Sequence, residues 1–304
     1  MAKKRPNGYS PGVTALLCAA GICAGFLVSR IAAPHSEPEE TASAESTAAA
    51  ISADESFSEN IGSALTESGD LNGDGIELQH IYGLTYEGYM MLVHNPEDVF
   101  IAINPGMSTG AEGPRLPAYL ETFDAIAGIN GGGFVDAGGN GDGSIPAGIV
   151  IKNGKIIQDG TSAVIAFTTD HKLIATTASA SELLEMGVDQ AITFGPTFIH
   201  NGQVVYQPTS DLNMLNPRTA VGMQEDGTIL LLVIDGRGPS SWGAKYEDVL
   251  AIFQQYGAVE AGNLDGGNSS VMMYDGSYVH YPVAMNGSRR LPDAILVRKG
   301  GEAD

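Results

Sequence analysis

Asp265 lies in Ala261-Gly262-Asn263-Leu264-Asp265-Gly266-Gly267-Asn268-Ser269-Ser270, a stretch offering one carboxylate, two side-chain amides and two hydroxyls beside consecutive glycines. Apolar residues precede it (Ala258, Val259) and follow it (Val271, Met272, Met273), so the polar cluster falls where strands end, a common place for sheet-based sites. Gly266 and Gly267 permit positive φ and a close approach of ligand to backbone, although an Asp-Gly-Gly stretch alone also reads as a plain turn. A carboxylate so placed can act as a nucleophile or as a base for water. Asp235, after the apolar run 229–234, is a second carboxylate, as partner of Asp265 or as the residue that orients Arg237, and Glu260 is a third. Arg218 and Arg237 suit phosphate, which guanidinium meets bidentately; a structural ion pair with Asp235 or Asp265 is the alternative role. Asn130 and Asn263 offer amides to a polar ligand, or else cap turns. Gly131, Gly132 and Gly133 offer backbone N–H groups to an anion. Gly266, Gly267, Ser269 and Ser270 complete the candidate substrate contacts.

Other chemistries fit less well. Ser269 and Ser270 have no G-x-S-x-G elbow and no histidine placed by motif as their base. The six histidines show no HExxH or paired metal spacing. No glycine pattern for a nucleotide follows a strand in the right register. Asp70-Leu71-Asn72-Gly73-Asp74-Gly75 imitates the start of a calcium loop, but its twelfth position is Ile81, where a bidentate Glu is required, so it reads as an acidic turn. Asp136, Asn140 and Asp142 offer one further calcium site in a glycine-rich loop. No cofactor is required.

Five blocks occur in a particular order: Ile129-Asn130-Gly131-Gly132-Gly133-Phe134, Phe194-Gly195-Pro196-Thr197-Phe198, Asn216-Pro217-Arg218-Thr219-Ala220-Val221-Gly222, Ile234-Asp235-Gly236-Arg237 and the segment around Asp265. Together, over about residues 80–299, they resemble the phosphodiester glycosidase family. That family includes an enzyme that removes N-acetylglucosamine from a phosphodiester, and bacterial envelope proteins associated with exopolysaccharide synthesis. Asn268 departs from the pattern, since the family usually shows a third glycine there. The resemblance implies hydrolysis of a sugar-1-phosphodiester by carbon–oxygen cleavage in envelope or exopolysaccharide glycans. Two alternatives stand beside it: a non-catalytic glycan-binding or polysaccharide-assembly protein on the same scaffold, and a metal-dependent phosphodiesterase.

The elements that must position these residues are mostly strands. Met90–Val93, Val99–Ile103 and Ala125–Ile129 are short apolar runs, and 229–234 reads as a central strand buried on both faces. Asn153-Gly154, Asn201-Gly202, Asp226-Gly227 and Asp275-Gly276 mark hairpins. Short helices are expected over 117–124 and 181–186. The clearest, over 245–256, sets Val249, Ile252, Phe253 and Tyr256 on one face and stops at Gly257. The pattern is α+β, a mixed, sheet-rich single domain with few helices over residues 76–300. Strand, helix and strand over 229–264 form a crossover that brings Asp235 and Asp265 to one edge.

Residues 1–33 read as a basic start and a membrane anchor: Lys3, Lys4 and Arg5 precede an uncharged, mostly apolar stretch over 11–29. The positive-inside rule places the rest of the chain outside, on a single-pass cell-membrane anchor. Residues 34–75 read as a disordered acidic tether. Both cysteines, Cys18 and Cys23, fall in the span. The formal charge of −21 divides into +4 through residue 33, −9 over 34–70 and −16 beyond. Such acidity argues against nucleic acid as a partner and leaves a glycan or sugar phosphodiester.

Overall fold

The computed structural model describes residues 70, 73–135, 141–208, 214–280, 282 and 288–299. The expected N-terminal span, most of the tether, and Asp136 and Asn140 of the second calcium loop lie outside these residues. Among the described residues no helix is long and apolar enough to cross a membrane. The end of the segment read as tether is ordered: Asp70 accepts hydrogen bonds from the amides of Gly73, Asp74 and Gly75, and Tyr274 donates to Asp74.

β1 (Ile76–Tyr82), β2 (Glu87–Val93), β3 (Val99–Ile103), α1 (Leu116–Phe123) and β4 (Ala125–Asn130) come first. The middle of the chain forms β5 (Val150–Lys152), β6 (Lys155–Gln158), β7 (Thr161–Thr168), β8 (Leu173–Ser179), α2 (Ala180–Glu185) and β9 (Val188–Thr193). There follow β10 (Thr197–His200), β11 (Gln203–Val204), β12 (Arg218–Gln224), β13 (Ile229–Ile234), α3 (Tyr246–Gln255) and β14 (Ala258–Asn263). β15 (Met272–Tyr274), β16 (Ser277–Tyr278) and β17 (Asp293–Arg298) complete the set. The strands make three sheets, ordered β1-β2-β13-β12-β14-β10-β11, β16-β15-β4-β17-β3 and β6-β5-β9-β7-β8.

One face of each sheet contributes to a shared core, in which Leu231 and Val233, Ile129 and Ile295, and Ile165 and Phe167 meet. Each sheet carries a helix on its other face. Val249, Ile252 and Phe253 of α3 cover Leu230, Leu232 and Ile234 of β13. Leu116, Tyr119 and Leu120 of α1 cover Phe100 and Leu296, and Leu183 of α2 joins Val164 and Ala166. This explains why β13 is apolar throughout: its alternate side chains enter two different cores, each fully buried aliphatic contributing about 1.5–3 kcal/mol.

The four marked turns all close hairpins. Asn153, Asn201 and Asp275 take φ values of 52°, 50° and 47°, each followed by a glycine of positive φ, which is the type I′ pattern. β13 and β14 both pair antiparallel with β12, so they run the same way with β12 between them and α3 as the crossover. Their carboxyl ends therefore meet the amino end of β12 at one edge, which also holds the turn after β4 and the start of β17.

Candidate active site

Asn130, at the end of β4, ties the second sheet to the first at this edge. Its Oδ1 accepts from the Thr219 hydroxyl at 2.8 Å and from the Val271 amide at 3.1 Å. Its Nδ2 donates to the Asp265 carbonyl at 2.6 Å. The side chain is fully buried, so it holds the Asp265 turn from beneath and does not meet a sugar. The structural role is the one the fold selects.

After Asn263 the chain is pinned by backbone bonds from Leu264 to Thr219 and from Asp265 to Gly131. Gly266 lets the Pro217 carbonyl approach; a Cβ there would lie 2.7 Å from it. Gly267, at φ 61°, donates its N–H to the same carbonyl and opens a 3₁₀ turn through Ser269. The turn folds Ser269 back on the carboxylate, its hydroxyl donating to Asp265 Oδ2 at 2.5 Å. Arg289 lies beyond Ser269, with Nη1 3.4 Å from the Ser269 Oγ and its guanidinium over the Phe134 ring. Burial raises the Asp265 carboxyl above its ordinary range, opposed by the Ser269 hydroxyl and the Arg289 charge. Asn263 donates Nδ2 to the Gly195 carbonyl, and among the described residues its buried Oδ1 has no partner, nor has the Ser270 hydroxyl.

Of the glycines after Asn130, one turns its N–H to a carboxyl group of the protein itself. Gly132 donates to Oδ1 of Asp293 at 2.6 Å, and Gly131 to the Asp293 carbonyl at 3.2 Å. Gly131 is obligatory here, since a Cβ would stand 2.0 Å from that Oδ1. Asp293, Arg289 and His280 are absent from the candidates read in the sequence. An aspartate heading the apolar strand 293–298 was the available signal for the first.

The two arginines separate. Arg237, exposed and at φ 60°, spreads its fork between Oδ1 of Asn268 at 2.7 Å and Oδ1 of Asn216 at 3.1 Å. Asn268, where a third glycine is usual, thus orients an exposed cation from the Asp265 turn itself. Arg218 is buried; it donates Nε to the Ala244 carbonyl and Nη2 to the Met214 carbonyl, and it stacks on Tyr246 at 4.0 Å. Its Nε and Nη2 are thus engaged by backbone carbonyls, and among the described residues it makes no ion pair with Asp235 or Asp265.

Asp235 stands at the same edge, but its carboxylate meets His280 and does not orient Arg237. His280 Nε2 accepts the Met272 amide at 3.0 Å, so Nδ1 carries the proton and donates to Asp235 at 2.5 Å. Glu260 is removed from the site. It faces the far end of β14, where it is buried and accepts from the Ala175 and Asn201 amides and from His200. Asp142 accepts the Ser144 amide and hydroxyl as a turn, and among the described residues no three His, Cys, Asp or Glu converge on a metal position.

The model of the phosphodiester glycosidase family matches residues 123–298. The chain belongs to that family. Its N-acetylglucosamine-1-phosphodiester alpha-N-acetylglucosaminidases include the mouse protein, 26% identical over 67% of this chain and 43% of that protein. The human protein is 25% identical with the same coverage. An uncharacterised prophage-derived protein of Bacillus subtilis is 33% identical over 33% of this chain and 16% of its own. The chain thus spans less than half the length of these relatives. The zebrafish catalytic domain, auto-inhibited by its pro-peptide, shares the fold at a TM-score of 0.64 and 20% identity, over 75% of this chain and 85% of that one. An exported protein of Burkholderia pseudomallei does so at 0.54 and 17%, over 72% and 74%.

Proposed function

We propose that this chain hydrolyses the carbon–oxygen bond of a sugar-1-phosphodiester, with Asp265 as the reacting carboxylate and Arg237 and Arg289 as the cations that hold the phosphate. One observation carries this: a single turn presents a half-buried carboxylate, a hydroxyl linking it to Arg289, and the amide that orients Arg237. The expelled phosphomonoester is a far weaker base than a sugar alkoxide, so two guanidiniums serve the leaving group better than a strong general acid would. Asp265 then acts at the anomeric carbon, stabilising its positive charge. The names of the mammalian relatives make an α-linked N-acetylglucosamine phosphodiester the first substrate to try. Hydrolysis in ¹⁸O-labelled water should place the label in the free sugar. Label in the phosphate would mean phosphorus–oxygen cleavage and would replace this reading with the metal-dependent phosphodiesterase.

The same proposal puts the substrate among cell-envelope or exopolysaccharide glycans, with the site outside the membrane. The basic residues 3–5 and the uncharged stretch over 11–29 support that placement. Protease added to intact cells should release a folded fragment that begins between residues 34 and 70. A chain left whole by that treatment would overturn the orientation.

A further inference from the structure

Two aspartates meet at Gly131 through their backbones. Asp265 gives its amide to the Gly131 carbonyl, and the Gly131 amide goes to the Asp293 carbonyl. Their surroundings are unequal. Asp265 is half-buried and has the Ser269 hydroxyl on its carboxylate and Arg289 beside it. Asp293 is wholly buried, takes one backbone N–H at Oδ1, and leaves Oδ2 without a partner among the described residues. β3, on one side, sets Ile103 opposite Asp293, and the chain just after β4, on the other, sets Gly131 there; neither titrates. From α1 comes Tyr119, whose hydroxyl donates to the Leu291 carbonyl, and from the turn after β14 comes Asp265. Arg289 lies on the Asp265 side.

We propose that Asp293 is a positioning residue that keeps a proton, so that the pair carries one negative charge and Asp265 bears it. A buried carboxylate oxygen without a donor is far costlier than a buried neutral one, which fixes the proton on the carboxyl with fewer donors. In agreement, burial pushes the Asp293 carboxyl up to about 7; the Gly132 N–H opposes it, and the Asp265 charge adds a smaller push upward. Ionising Asp293 would add a second negative charge where an anionic phosphodiester must approach. The pair then titrates as one unit.

The sign of the pH effect follows. A carboxyl whose pKa is raised in the folded protein binds its proton more tightly there than in the unfolded chain, where it titrates near its ordinary value of 3.8. Its contribution favours folding most below that value, declines as pH rises, and is gone above about 7.

The test uses the full chain and reads melting temperature against pH for the wild type, Asp293→Asn and Asp265→Asn. The wild type should lose stability relative to Asp293→Asn as pH rises from about 4 to about 7, with no further divergence above that. In Asp265→Asn the upper end of the decline should move to lower pH, because the neighbouring charge is gone. Parallel curves for wild type and Asp293→Asn would overturn the proton on Asp293. An unmoved decline in Asp265→Asn would overturn the coupling. The consequence for activity rests on the proposed hydrolysis: above about pH 7 wild-type kcat/KM should fall about tenfold per pH unit, while Asp293→Asn holds its own value. An alkaline limb that persists in Asp293→Asn would overturn the link to function. Absence of hydrolysis in every protein would sink the proposed function and leave the melting curves to decide the proton.

Discussion

Asp265→Asn should lower turnover on a sugar-1-phosphodiester by about 10²–10⁴-fold and leave the fold intact. The substitution keeps the shape that the turn surrounds: Ser269 still finds an oxygen to donate to, and the backbone bonds to Gly131 and Asn130 do not involve the side chain. What disappears is the charge that would face an oxocarbenium-like carbon. Burial disfavours that charge in the folded protein, so its removal should leave the melting temperature near neutral pH unchanged or slightly higher. Steady-state kinetics together with thermal unfolding by circular dichroism separate the two effects. Full activity in a folded Asp265→Asn protein would take this carboxylate out of the mechanism and leave Asp235, at the same edge, as the next to substitute.

Much of this edge was legible before any coordinates. Local signals sufficed wherever neighbours in sequence are neighbours in space. Asn-Gly pairs set hairpins, the stripe of Val249, Ile252 and Phe253 set α3, and the apolar run 229–234 set a strand with a core on each side. The crossover from β13 to β14 then followed from chain connectivity, and with it the shared edge of Asp235 and Asp265. The residues whose surroundings the sequence did not show share a different cause. Arg218 and Asn130 have the right donors for phosphate and sugar, but those donors are consumed by partners 26 and 135 residues away. Glu260 lies three residues before Asn263, which in a strand carries it about 10 Å along β14, away from the edge. Asp293 is read correctly only when Gly132, 161 residues earlier, is seen to hold its carboxylate. Residue type states what a group can bind, whereas the long-range pairing decides whether it is still available.

That distinction makes the two arginines a test of the site. Arg237 is exposed and leans on two side-chain amides, so its removal leaves no buried group unpaired. Arg237→Ala should therefore lose one charge-assisted phosphate contact, about 1.5–3 kcal/mol, which is roughly 10- to 150-fold in kcat/KM, without a change in melting temperature. Arg237→Lys keeps the charge but loses the fork that spans Asn216 and Asn268, and should recover only part of the rate. Arg218→Ala should behave in the opposite way. It takes one donor each from the Ala244 and Met214 carbonyls, which keep only the Asn216 amides, and empties the space over Tyr246, so stability should fall by about 1–3 kcal/mol, while the protein that remains folded keeps its affinity for phosphate. Kinetics normalised to folded protein, measured beside urea unfolding, distinguish the two patterns. If Arg237→Ala and Arg237→Lys both retain wild-type kcat/KM, the exposed fork does not hold the phosphate. If Arg218→Ala is as stable as the wild type but inactive, the buried arginine reaches the substrate after all, and the roles given to the two residues must be exchanged.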